Sequence, residues 1–104
     1  MPDVIVEIVR FVDPHQPGWV ECVLIDAYAK PHSFIEKVPV VTTETLLPTS
    51  EYPVLGSIAC EVLAKLNDEQ GRSLLKIDTI RPWDIESTSG EVEFVILASQ
   101  VRNS

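Results

Sequence analysis

The sequence predicts an all-β fold: a small antiparallel barrel of about six strands, with one crossover segment that has room for a short helical turn. Two observations carry this reading. Six stretches of the chain alternate apolar and polar residues or run β-branched, and proline and glycine punctuate the gaps between them. Closure into a barrel is expected because it removes the open sheet edges that invite aggregation.

The first strand is expected over residues 4–12, Val-Ile-Val-Glu-Ile-Val-Arg-Phe-Val. Glu7 and Arg10 are an odd number of residues apart, which places them on opposite faces of a regular strand. The run from Asp13 to Gly18 holds two prolines and a glycine and reads as a turn. A second strand follows from Trp19 to Tyr28, with Cys22 on the inward face. Ala29-Lys30-Pro31 leads back into a third strand, residues 32–41, so the two form a hairpin. Pro39 interrupts the return strand and marks an edge position or a bulge.

Residues 42–56 break the β pattern and form the main crossover, where Thr43 can cap a single turn through Leu47 before Pro48 stops it. Leu46, Leu47, Tyr52 and Leu55 are too apolar for a freely solvated loop, so the segment is expected to lie across one end of the barrel. Ile58, Cys60, Val62, Ala64 and Leu66 then alternate with their neighbours along a fourth strand. Asn67 to Gly71 turns, and residues 72–80 return to complete a hairpin. A polar stretch, Glu86 to Gly90, leads to the last strand, residues 91–101. Gly18-Trp-Val-Glu-Cys22 and Gly56-Ser-Ile-Ala-Cys60 match in their glycine, apolar and cysteine offsets, the pattern a duplicated three-strand unit would leave.

At 104 residues the chain fits one domain, residues 1–104, and with 45% hydrophobic and 23% charged residues it has an ordinary globular composition. The acidic start, Met1-Pro2-Asp3, lacks the basic and apolar regions of a signal peptide, and no run approaches the roughly 20 apolar residues of a membrane helix. Two cysteines, each inside an apolar strand pattern, fit reduced thiols in a cytoplasmic protein. The net charge is −8, and neither half is basic: residues 1–52 hold three basic and eight acidic side chains, residues 53–104 five and eight. That balance argues against nucleic acid and anionic membranes, whose affinity depends on Lys and Arg. A basic protein partner suits it better.

No catalytic signature lies among the strands. Metal ligation would draw on Cys22, Cys60, His15 and His32, yet no CxxC or HxxxH spacing exists, so neither metal nor other cofactor is expected. A nucleophilic site would set a cysteine or serine beside His32, oriented by Asp26 or Glu36, but β pairing alone brings these residues near one another. Asp26 or Glu21 could serve as a desolvated acid or base if turned inward; the plainer reading puts them at the barrel mouth or pairs them with Lys37 or Arg10. Ser87-Thr88-Ser89-Gly90 has no lysine and two flanking glutamates, which suits a β turn better than a phosphate cradle.

Trp19 and Trp83 flank proline turns at strand ends, where an indole either closes the barrel or meets a partner. The expected function is a non-enzymatic protein-interaction module, by analogy of size and charge an inhibitor or immunity-type protein that masks a basic surface. Its candidate binding residues are Trp19, Trp83, Tyr52, Asp26, His32 and Glu36. One alternative is a small-molecule site at a barrel end, fixed by Asp26, His32 or Glu36. The other is a homodimer that buries Trp19 or the Pro39 edge.

Overall fold

Val4, Val6 and Ile8 alternate with Ile5 and Glu7, and that period-2 pattern builds a long strand β1 (Pro2–Asp13) with one face buried. The computed structural model describes residues 1–103. β1 is the spine of the first sheet. It pairs antiparallel with β2 (Trp19–Ile25) on one side and β4 (Val54–Ala59) on the other; β3 (Pro31–Lys37) pairs with β2, and β8 (Val101–Asn103) pairs with the start of β1. The second sheet has the order β5 (Glu61–Asn67), β6 (Ser73–Asp78), β7 (Glu93–Leu97).

The architecture is all-β with two antiparallel sheets, and among the described residues the expected closed barrel is not formed. The alternation from Ile58 to Leu66 is one pattern in sequence but two strands in space. At Cys60 the chain leaves the first sheet for the second, and the Cys60 N–H donates to Pro2 O at 3.0 Å. On the other side the sheets are joined by single bonds, from Ala27 N–H to Val95 O at 2.9 Å and from Thr88 N–H to Ser33 O at 2.8 Å. No continuous ladder results. One core fills the space between the sheets: Val4, Ile8, Leu24 and Phe34 from the first meet Ile77, Phe94 and Ile96 from the second.

Three further expectations are corrected. Ile8 pairs with Cys22 and Arg10 with Glu21, so Val9 is an extra residue, a β-bulge. The bulge resets the alternation, and Glu7 and Arg10 share the outward face instead of lying on opposite ones. The helical turn is α1 (Val38–Val41), not 43–47: Pro39 starts it, because a proline in the first turn gives up no helical hydrogen bond. The last strand is also shorter than 91–101, since Leu97 N–H donates to the Gln100 Oε1 at 2.8 Å and holds a 3-10 turn, Ala98–Gln100, before β8. The crossover is only partly inward: Leu46 is buried and Tyr52 packs against the core, while Leu47 and Leu55 are exposed.

The two matching glycines serve different purposes. Gly18 turns the chain ahead of β2 with φ +94°, a region favourable to glycine. Gly56 lies inside β4, where a Cβ would meet the Val41 carbonyl oxygen and Ile8 Cδ1, both at 2.8 Å. Backbone oxygen cannot swing aside as a side chain can. Gly56→Ala is therefore expected to cost about 1–3 kcal/mol by overpacking, read as a lowered midpoint in urea unfolding. An unchanged midpoint would mean that α1 does not press on β4.

Candidate functional site

The β2–β3 hairpin brings two of the expected site residues together. Leu24 pairs with His32 and Ile25 with Pro31, so Asp26 sits just beyond the ladder, facing His32 across the turn. Asp26 Oδ1 accepts the N–H groups of Tyr28 at 2.8 Å and Lys30 at 3.0 Å, which fixes the turn. Its Oδ2 lies 2.8 Å from His32 Nε2. Burial works against the ionised form of Asp26, but the His32 bond and the Lys30 and Tyr28 N–H groups together outweigh it and hold the carboxyl below the usual aspartate value. An ionised carboxylate has no proton to give, so the imidazole N–H is the donor.

His32 is itself buried, with its ring edge-on to Phe94 at 4.8 Å between centroids. Its Nδ1 faces Glu91 Oε1 at 3.7 Å. Both ring nitrogens therefore point to carboxylates, and no thiol or hydroxyl is hydrogen-bonded to the ring among the described residues. The cysteines are elsewhere and poorly suited to nucleophilic work. Burial, with Glu36 and Glu21 adding, pushes the Cys22 thiol up to about 12, and burial with Asp3 pushes Cys60 up to about 11. In this geometry the Asp26–His32 pair closes the end of the β2–β3 hairpin, and the His32 ring meets Glu91 ahead of β7 and Phe94 within it.

The remaining expected site residues are dispersed. Glu36 lies four residues along β3 from His32, opposite Val20; burial raises its carboxyl pKa against the pull of Lys37. Tyr52 donates its hydroxyl to Leu47 O at 2.7 Å and braces the crossover. Trp19 is half-buried on the outward face of β2, with the Lys37 ammonium 5.5 Å from its ring centroid. Glu21 also faces outward and pairs with Arg10 at 2.5 Å. In the turn before β7, Ser87 Oγ accepts the Ser89 and Glu91 N–H groups and Ser87 O accepts that of Gly90, so these donors are turned inward rather than towards an anion. No group of three or more metal-ligating side chains converges among the described residues.

Trp83 stands apart from all of these, with 66% of its surface exposed. The loop that carries it is closed by hydrogen bonds. Thr79 Oγ1 donates to Ile85 O at 2.7 Å, Ile85 N–H to Thr79 O at 3.0 Å, and Asp84 N–H to Ile80 O at 2.6 Å. Ile85 is buried beneath and anchors the loop to the core. Beside the indole lies a mainly apolar hollow formed by Met1, Pro2, Val40, Ala59 and Pro82, with Asp3 and Ser57 also on its wall. A second hollow shares Met1, Pro2 and Pro82 with the first and is completed by Cys60, Glu61, Val62 and Arg81. Sequence reasoning singled out Trp83, but Met1, Pro2, Val40 and Pro82 carry no local sign that they meet there.

No protein-family model, no curated protein and no solved structure matches this chain. No helix among the described residues is long and apolar enough to cross a membrane.

Proposed function

We infer that this protein is a non-enzymatic interaction module of the cytoplasm that binds a basic protein partner through the corner around Trp83. The observation that carries the reading is an exposed indole on a hydrogen-bonded, core-anchored loop beside a mainly apolar hollow. A loop held in place before binding loses little freedom on binding, and a large aromatic that fills a partner's pocket supplies affinity. The acidic balance of −8 supplies long-range attraction towards a positively charged surface. An inhibitor or immunity-type role, masking a basic enzyme or toxin, is the form of this function that the size and charge support.

The test is capture of partners by tagged protein from its source lysate, with washes at low and high salt and identification by mass spectrometry. One stoichiometric, salt-sensitive partner is expected. Trp83→Ala should weaken it by about 2–4 kcal/mol, roughly 30- to 1,000-fold, while leaving the fold intact because the indole is mostly outside the core. A partner held equally well by Trp83→Ala would remove this corner from the interface, and a bait that retains nothing would end the reading.

A further inference from the structure

The outward face of the first sheet is open, apolar in part and almost neutral, on a chain that is strongly acidic. Val23, Ile25, Ile35 and Leu55 point away from the core, with Leu55 70% and Ile25 42% exposed. The charged side chains on the same face nearly cancel. Asp3 pairs with Arg102 at 3.4 Å and Arg10 with Glu21 at 2.5 Å, while Asp13 at the strand end holds His15 at 2.6 Å. Glu7 and Lys37 remain, one of each sign, and neither has an ion-pair partner among the described residues. These four carboxylates and three cations leave this face with one of the chain's eight net negative charges. The other seven lie elsewhere, so repulsion between two copies is weakest here.

Glu7 and Lys37 are also placed symmetrically. Glu7 is on β1 opposite Val23, and Lys37 is on β3 opposite Trp19, so they flank β2 diagonally with Glu21 midway between. A two-fold axis that lies in the plane of contact, over Glu21 and at right angles to the Glu7–Lys37 line, sets Glu7 of each copy against Lys37 of the other. The same operation lays Val23 against Ile35 and brings Arg10 to the Trp19 and Glu21 of the second copy. An isologous interface requires this kind of self-complementarity.

We propose that a second copy of this chain docks on the outward face of the β1–β2–β3 sheet, each Glu7 opposite the other copy's Lys37. Three strands about 4.8 Å apart and seven residues at about 3.4 Å each give a footprint of roughly 14 by 24 Å on each copy. That is smaller than stable specific interfaces, so the dimer is a weak, transient one that forms at high protein concentration. The proposal is independent of the Trp83 reading, since Trp83 lies past the other end of the sheet, near Ala59 and Asp3.

Sedimentation equilibrium on the intact chain tests it. The wild type should show a monomer–dimer equilibrium. Glu7→Lys and Lys37→Glu should each raise the dissociation constant at least tenfold, and the combined exchange should restore it. Both side chains are exposed, so circular dichroism should show all three variants folded. Trp83→Ala should dimerise as the wild type does. A chain that stays monomeric to the highest soluble concentration overturns the proposal. So does a dimer indifferent to both single changes, a double exchange that fails to restore association, or a dimer lost on Trp83→Ala.

Discussion

Replacing Phe94 with alanine is expected to destabilise the fold by about 3–5 kcal/mol, which in a domain whose total stability is of order 5–15 kcal/mol leaves it close to unfolding. Phe94 is 3% exposed and sits where the two sheets meet. Its ring is edge-on to Phe34 of β3 at 5.7 Å and to His32 at 4.8 Å. Truncation opens a cavity and removes both ring contacts. Because few backbone bonds join the sheets, side-chain packing across the core holds them together. Urea unfolding measures the effect, with Phe94→Leu as the control that keeps most of the volume and loses the ring geometry; about half the destabilisation is expected there. A Phe94→Ala loss below about 1 kcal/mol would show that the sheets are not packed through this ring.

The strands were legible in the sequence because alternation is a local signal, and the inward placement of Cys22 followed from it. The sheet boundary was not. Ile58, Cys60 and Val62 keep an unbroken period of two through the corner where the chain changes sheets, so nothing in the pattern distinguishes a bend from a continuation. The bulge at Val9 carries no glycine, and a β-branched residue there reads as ordinary strand. Pro39 was visible as an interruption, but whether a proline breaks a strand or begins a helical turn depends on the packing of Val38 and Val41 into the core. The same limit applied to the site. Asp26 and His32 were paired by a hairpin that sequence could place; the hollow beside Trp83 joins residues near 1, 40, 59 and 82, a meeting that only the tertiary fold defines.

The Asp26 carboxyl is expected to make stability depend on pH. Its carboxyl is held below the usual aspartate value in the folded protein, so it binds a proton less readily folded than unfolded. The resulting stability is fully present above the unfolded value of about 3.9 and is lost as pH falls through the lower folded value. Asp26→Asn keeps the shape and an acceptor for the Tyr28 and Lys30 N–H groups but removes the charge that faces His32. At neutral pH it should cost about 1–3 kcal/mol, because the buried imidazole loses a charged partner. The difference between wild type and Asp26→Asn should then shrink as the pH is lowered from about 5 towards 2, since the wild-type carboxyl becomes neutral there too. Urea midpoints across that range provide the comparison. A gap that stays constant would mean that Asp26 is not the ionised partner of His32, and the bond between the hairpin turn and the buried ring would have to be a neutral one.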